Sequence, residues 1–292
     1  MEASTFWKRG GKLRPTGRVL IFAGLVVGLF FVLDIGSGIV IGVLAVLKQR
    51  PALMDILKNV LFNEAIMALV AIGATLLACL IERRRLGSLG LGYAGGRFLW
   101  GSLVGAGMQS LVLLLALVTA GYAFAWNGSH VAASPWFQYV AAMLLTGFAE
   151  ESLFRGYLLR TLEEGWGRRV ALAVTSILFA LAHFANPGFT LQAFIGLCLI
   201  GLFFGYSVYA TGTLWFAIGV HAFWNIFEGV VYGFPNSGNP EPYSILQAVA
   251  HGPVWWTGGR FGPEAGLISL LVQIAGLWLL VRYARRQAPA LA

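Results

Sequence analysis

The sequence predicts an all-α, polytopic membrane protein, built as a single bundle of about eight transmembrane helices. Of its 292 residues, 58% are hydrophobic and only 11% are charged, and the mean hydropathy is +0.77. Soluble globular domains do not carry so large an apolar fraction. The apolar residues form separate runs of about 20 or more residues, the length that crosses a bilayer as a helix. Most charged residues lie in the connectors between these runs.

The apolar runs define the predicted elements in chain order. The predicted spans are 19–47, 60–81, 98–124, 136–160, 170–185, 191–210, 213–232 and 265–283. Asn186-Pro-Gly follows the fifth run and predicts its end, because proline cannot continue a helix. We therefore divide the chain into a basic tail (1–18), a transmembrane bundle (19–284, with core motifs in 147–231) and a C-terminal tail (285–292).

The basic residues predict the orientation of the bundle. An even number of spans places both termini on one side, together with the basic connectors 82–97 and 160–169. Cytoplasmic loops carry an excess of lysine and arginine, so we expect a multi-pass protein of the cytoplasmic (inner) membrane with both termini in the cytoplasm. The loop 48–58 is the one exception, because it carries three basic residues and one acidic residue on the opposite, non-cytoplasmic side. The net charge of +8 fits an anionic lipid surface, and we expect no nucleic acid partner because no nucleic-acid-binding motif is present.

The fourth span carries three ionisable side chains inside an apolar segment. Its sequence Gly147-Phe-Ala-Glu-Glu-Ser-Leu-Phe-Arg-Gly156 contains Glu150, Glu151 and Arg155. Charges at membrane depth are costly and usually functional. Glu151 and Arg155 are four residues apart and share one helix face, which predicts an orienting ion pair. Glu150 points about 140° away from Arg155, so we expect it to face another helix.

Two further spans each contribute a histidine with a polar or aromatic companion. Phe179-Ala-Leu-Ala-His183 ends the fifth span, and His221-Ala-Phe-Trp-Asn225 places an imidazole and an amide on one face of the seventh. A glutamate in a low-dielectric pocket beside a histidine can take a proton from water and pass it to a leaving amine. A second histidine with an asparagine can supply donors to a developing oxyanion.

These three motifs together resemble those of the CPBP family of intramembrane proteases. This family includes the CAAX prenyl endopeptidases and bacterial immunity-type homologues, and the resemblance covers residues 83–231. It implies an eight-helix bundle whose site opens toward the cytoplasm. It further implies that Glu150 and His183 activate water and that His221 and Asn225 stabilise the oxyanion, supported by Glu151 and Arg155. The substrate would be a membrane-anchored peptide or protein, with a prenylated CAAX-like tail as one candidate.

Three other functional interpretations of the same residues remain open. A zinc-dependent form of the protease would use Glu150, His183 and His221 as ligands, although the sequence contains no H-E-x-x-H motif. We expect no cofactor, with zinc as the alternative. A transporter also uses buried glutamate and histidine, but no inverted repeat is evident. A non-catalytic membrane scaffold or immunity protein with the same fold is the third alternative.

Overall fold

A computed structural model describes residues 8–9, 12–48, 51–92, 95–128 and 134–287. Within this part of the chain, seven helices are long and apolar enough to cross a membrane. They are Pro15–Leu47, Val60–Glu82, Arg97–Val118, Pro135–Ala182, Leu191–Thr211, Leu214–Val231 and Leu267–Gln287. The all-α polytopic fold is therefore confirmed. The terminal tails 1–18 and 285–292 lie partly outside the described residues.

The fourth of these helices contains two of the predicted spans. It is 48 residues long, about twice the length that a bilayer requires. Its backbone is interrupted at Gly167, where φ is 79° and ψ is 167°. Only glycine adopts such a conformation without strain. We call the parts before and after Gly167 the fourth and fifth spans, and number the remaining helices first to third and sixth to eighth.

The first span begins at Pro15 instead of 19, and the eighth is Leu267–Gln287 instead of 265–283. Two other spans end earlier than predicted. The third span ends at Val118 instead of continuing to 124, because Tyr122–Trp126 forms a β-strand. This strand pairs in antiparallel fashion with Leu246–Ala250, so its apolar residues belong to a small sheet. The fifth span ends at Ala182 instead of 185, and His183 begins the turn that precedes Pro187.

Close packing of glycines joins the third and seventh spans. A Cβ atom added to Gly101 would lie 2.2 Å from the backbone oxygen of Phe216, and one added to Gly105 would lie 2.2 Å from that of Val220. Gly219 makes the reciprocal approach to Phe98. Small residues let membrane helices approach closely. This contact fixes the seventh span, which carries His221, in the centre of the bundle.

The connectors lie at two opposite ends of the bundle. Among the described residues, the basic end comprises 14–18, 83–92, 95–96, 160–169, 212–213 and 282–287. The link end comprises 48, 51–59, 119–128, 134, 183–190 and 232–266. At the basic end, Arg18 forms ion pairs with Glu82 and Glu164, and Arg84 pairs with Glu164. At the link end, Asn186 donates a hydrogen bond to the backbone of Ser237, and Gln192 donates one to Trp255.

Candidate active site

A glycine positions the two glutamates against the seventh span. A Cβ atom added to Gly147 would lie 2.8 Å from the backbone nitrogen of Ala222, closer than real side chains approach. The fourth span can therefore lie directly against the backbone of the seventh. Glu150 and Glu151 follow Gly147 by about one turn, and His221 precedes Ala222, so this contact brings the carboxylates beside the imidazole.

The helical hydrogen-bond pattern changes immediately after each group of site residues. A π-helical segment, Ser152–Leu158, begins after Glu151, and another, Ile226–Val231, begins after Asn225. Such segments are often found at functional sites, because the wider turn re-aims the side chains around it. Sequence analysis did not predict either segment, since no residue pattern in them distinguishes a π-helical turn from an α-helical one.

Arg155 and Glu151 form a fully buried ion pair. Nη1 of Arg155 donates to Oε1 of Glu151 at 2.9 Å, and both side chains have 0% exposure. Nη2 of Arg155 donates to the backbone oxygen of Gly201 at 3.1 Å. The guanidinium carbon lies 4.3 Å from the ring centroid of Phe179, a cation–π distance. The Gly201 carbonyl of the sixth span and the Phe179 ring thus offset part of the free-energy cost of removing the guanidinium from water.

Glu151 also binds His221, a contact that sequence analysis missed. Nδ1 of His221 lies 2.9 Å from the same Oε1 atom of Glu151 that accepts from Arg155. Because a carboxylate accepts, Nδ1 carries the proton and Nε2 faces away from Glu151. Phe204 stacks on the imidazole at 4.8 Å between ring centroids. His221 is consequently held in one tautomer and one ring orientation.

Glu150 lies between the two imidazoles. Its Oε2 atom is 4.0 Å from Nε2 of His183 and 4.0 Å from Nε2 of His221. These separations are too long for direct hydrogen bonds, but a water molecule placed between the groups would bond to the carboxylate and an imidazole at ordinary distances. The Glu150 side chain is partly exposed, although its Oε2 atom is buried without a hydrogen-bond partner, whereas the whole Glu151 side chain is buried.

His183 is oriented by its own helix. Its Nδ1 atom lies 2.8 Å from the backbone oxygen of Phe179, and a carbonyl oxygen can only accept. In the neutral imidazole the proton is therefore on Nδ1, and Nε2, which faces Glu150, has a free lone pair. The Phe179-x-x-x-His183 spacing produces this contact because the two residues are one helical turn apart.

These groups line a cavity of about 680 Å³. It extends from Leu153 and Phe154 in the middle of the bundle to residues of the link end. Asn225, one turn from His221, lines it together with both histidines and Glu150. Its other polar lining residues are Lys58, Asn63, Glu64, Tyr139, Thr146, Asn186, Asn236, Ser237, Asn239, Glu241 and Glu264. Glu228, which shares the helix face of His221 and Asn225, is buried and is not among the lining residues.

Comparison with known families adds an independent observation. Residues 132–227 match a family model described as type II CAAX prenyl endopeptidase, Rce1-like. This similarity over one part of the chain supports a relation to the CPBP/CAAX protease family. The apolar helices make the protein a multi-pass membrane protein. All three motifs, from Glu150 to Asn225, lie within the matched segment. Comparisons with curated proteins and with solved structures found no match.

Among the described residues, the side chains around Glu150 are not spaced as the ligands of a zinc ion. Within the described part of the chain, no group of three or more histidine, cysteine, aspartate or glutamate residues is arranged to hold a metal ion. The 4.0 Å separations of Glu150 from the two imidazoles exceed the roughly 3.3 Å between ligands on a tetrahedral zinc with bonds of about 2.0 Å. At these separations the three side chains cannot all bind one tetrahedral zinc ion.

Sequence analysis did not include several acidic residues of the cavity in the candidate site. Glu241 and Glu264 belong to the link between the seventh and eighth spans, and Glu64 lies near the start of the second. Nothing in their local sequence predicts a common location. Burial, together with the nearby charge of Glu64, raises the pKa of Glu241 to about 8. Burial likewise raises the pKa of Glu264, although its hydrogen bonds from Ser237 oppose that increase.

Proposed function

We propose that this protein is an intramembrane glutamic-type endopeptidase that hydrolyses a peptide bond near the end of a membrane-associated substrate. A prenylated CAAX-like tail is one candidate for that substrate. The observation that carries the proposal is the position of Glu150, which lies 4.0 Å from each of two oriented imidazoles in a cavity inside the bundle. That spacing is suited to one water molecule, the second reactant of peptide hydrolysis.

Glu150 and His183 activate the water in this mechanism. The Glu150 carboxylate takes a proton from water as the water oxygen attacks the carbonyl carbon of the scissile bond. His183 accepts a hydrogen bond from the water through Nε2, because its proton is on Nδ1, which donates to the backbone oxygen of Phe179. The proton then passes to the leaving amine nitrogen as the C–N bond breaks. General acid–base catalysis of this kind contributes about 10²- to 10⁴-fold to a reaction rate.

His221 and Asn225 stabilise the negative charge that develops on the carbonyl oxygen. The Asn225 amide is a hydrogen-bond donor. A protonated His221 donates from Nε2 while its Nδ1–H continues to donate to the Glu151 carboxylate. Donors fixed before the reaction stabilise an oxyanion more than mobile water does. Glu151 and Arg155 support this arrangement, because the ion pair holds the carboxylate that orients the imidazole.

The proposed location is the cytoplasmic membrane, with both termini in the cytoplasm. Support comes from the basic connectors, which form one ion-pair network at one end of the bundle. The partners are membrane lipid and a membrane-anchored peptide or protein, without nucleic acid. No cofactor takes part in the proposed mechanism.

Two assays of the purified wild-type protein test the proposed class of activity. In detergent, the protease should cleave a membrane-tethered peptide, with products identified by mass spectrometry. In liposomes, it should produce no ion-dependent flux. Flux without proteolysis would identify a transporter, and the absence of both would favour a scaffold or immunity protein. Comparing the membrane proteomes of cells with wild-type protein and with Glu150→Gln would then identify cleaved proteins.

A further inference from the structure

A tight turn of the link between the seventh and eighth spans forms part of the cavity wall. We call residues 235–239 the link turn. Asn236, Ser237 and Asn239 line the same cavity as Glu150 and the two imidazoles. The backbone nitrogen of Asn236 donates to the backbone oxygen of Asn239 at 2.8 Å, and the reverse bond is 2.9 Å long. The link turn is therefore a compact unit that faces the candidate reacting groups.

The centre of the link turn has a backbone conformation that its surroundings must maintain. Ser237 has φ of 45°, in the left-handed region that residues other than glycine rarely adopt. Such conformations persist where the neighbouring structure fixes them, and they cluster at functional sites. A Cβ atom added to Gly238 would lie 2.1 Å from the backbone oxygen of Pro187. The link turn thus lies directly against the connector that follows the fifth span.

Glu264 fixes Ser237 through two hydrogen bonds. The backbone nitrogen of Ser237 donates to Oε2 of Glu264 at 3.0 Å, and the Ser237 hydroxyl donates to the same oxygen. Both residues are buried, and a buried backbone N–H requires an acceptor. Glu264 is itself fixed, because its backbone oxygen lies 2.2 Å from the position that a Cβ atom on Gly196 of the sixth span would occupy.

The link turn connects the two halves of the candidate site. Nδ2 of Asn186 donates to the backbone oxygen of Ser237 at 2.9 Å, and the backbone nitrogen of Asn186 donates to that of His183 through its oxygen at 3.0 Å. On the other side, Nδ2 of Asn236 donates to the backbone oxygen of Asn225 at 3.4 Å. One turn therefore bridges the water-activating histidine and the oxyanion-stabilising amide of the proposed mechanism.

We propose that Glu264 is a positioning residue for peptide hydrolysis. By fixing Ser237, it holds the link turn so that His183 and Asn225 keep the separation that one scissile carbonyl group requires. This inference rests on the proposed protease function. Glu264 lies outside the segment 132–227 that matches the family model, so the similarity assigns it no role.

Three substitutions separate positioning by hydrogen bonds from an effect of charge, because the carboxylate also lies near both imidazoles. Glu264→Ala should lower kcat for the tethered peptide by about 100-fold, the effect of misplacing a reacting group by about 1 Å. Glu264→Gln keeps an oxygen that accepts from both groups of Ser237, so kcat should stay within a few-fold of the wild-type value. Ser237→Ala keeps the charge and removes one bond, so its kcat should lie between these two. Equal losses in Glu264→Ala and Glu264→Gln would show that charge is what matters and would overturn the proposal.

Tyr122→Phe is the matched control for loss of a buried hydrogen bond in the link. The Tyr122 hydroxyl donates to the backbone oxygen of Thr257 at 2.6 Å, and Tyr122 is not among the residues that line the cavity. Like Glu264→Ala, this variant should lower the unfolding temperature, but its kcat should remain at the wild-type value. An equal loss of kcat in Tyr122→Phe would attribute the effect to general loosening of the link and would overturn the proposal.

Hydrogen exchange measured by mass spectrometry reports the link turn without requiring activity. The amide protons of Ser237 and Gly238 donate to Glu264 and to the backbone oxygen of Phe261, so they should exchange slowly in the wild-type protein. Exchange should become faster in Glu264→Ala but not in Glu264→Gln or Tyr122→Phe. Unchanged exchange in Glu264→Ala would overturn the proposal.

The outcomes for this inference and for the proposed function are distinguishable. If the wild-type protein cleaves and Glu264→Ala cleaves equally well, the positioning role fails and the protease remains. If the wild-type protein does not cleave, the proposed function fails, and hydrogen exchange still decides whether Glu264 holds the link turn. If Glu264→Ala does not fold, Ser237→Ala takes its place, and a kcat equal to that of Tyr122→Phe would overturn the proposal.

Discussion

Oε1 of Glu151 lies 2.9 Å from Nδ1 of His221, a residue 70 positions further along the chain. The same oxygen accepts from Arg155, so one carboxylate atom links the buried guanidinium to the imidazole. The second glutamate of the pair thus has a different environment from the first. Glu151 is enclosed and charge-paired, whereas the Glu150 side chain is partly exposed and lines the cavity.

Replacing Glu151 by glutamine should destabilise the protein. It leaves the fully buried Arg155 without its counter-charge, and removing one partner of a buried pair costs about 3–5 kcal/mol. At temperatures where the variant stays folded, kcat should fall with little change in KM, because His221 loses its charged partner. Thermal unfolding in detergent and cleavage kinetics measure the two effects.

Glu163→Gln is the matched control for that experiment. Glu163 pairs with Arg160 and Arg168 at the surface of the basic end, and surface pairs contribute about 0–1 kcal/mol. The Glu163→Gln substitution should leave the unfolding temperature and the cleavage rate nearly unchanged. Equal unfolding temperatures for Glu151→Gln and Glu163→Gln would contradict the structural role of the buried pair.

Gly147→Ala should impair cleavage by separating the fourth and seventh spans. The added methyl group would lie 2.8 Å from the backbone of Ala222, so the helices must move apart and Glu150 must move away from His221. A displacement of about 1 Å at a reacting group can reduce the rate by about 100-fold. Gly107→Ala is the control, since its Cβ meets no atom within 4 Å. Equal cleavage rates for the two variants would refute this explanation.

Glu241 should make stability depend on pH. Its pKa is raised from 4.5 to about 8 by burial, so the folded protein binds a proton more tightly than the unfolded chain. The resulting stabilisation is fully present below pH 4.5 and is lost as the pH rises through about 8.

Glu241→Gln should therefore flatten the decrease in unfolding temperature between about pH 5 and 8.5. Gln247→Asn, an exposed change in the same link, should leave that slope unaltered. An unchanged slope in Glu241→Gln would show that Glu241 is not protonated preferentially in the folded state.

Chelators distinguish a water-activating glutamate from a zinc enzyme. Prolonged treatment with a strong zinc chelator followed by dialysis should leave the cleavage rate at the untreated value, because no step of the proposed mechanism uses a metal. Metal analysis of the purified protein accompanies the assay. Loss of cleavage that zinc restores would instead support Glu150, His183 and His221 as ligands.

The sequence predicts the spans well because apolar runs of bilayer length have few alternative structures. It does not predict the strand Tyr122–Trp126, whose aromatic residues pack on Phe234. That strand forms only because its partner, Leu246–Ala250, arrives from a distant link. Hydropathy cannot distinguish such a strand from the last turns of a helix.

In the site, too, the sequence predicts the contacts within one helix but not those between distant segments. Helix geometry predicts the pairing of Glu151 with Arg155, since both lie on one face. The hydrogen bond from His221 to Glu151 and the placement of Glu241 and Glu264 at the cavity depend on how distant segments pack. The two π-helical segments are equally invisible in the sequence, because they alter backbone register without a compositional signature.

The rate of peptide cleavage by purified Glu150→Gln tests the central claim most directly. Glutamine keeps the shape of the side chain but cannot accept a proton from water, so kcat should fall by about 10²- to 10⁴-fold. Thermal unfolding should stay close to that of the wild-type protein, since Glu150 forms no buried ion pair with Arg155. If folded Glu150→Gln cleaves the tethered peptide within a few-fold of the wild-type rate, the carboxylate at position 150 does not activate the water.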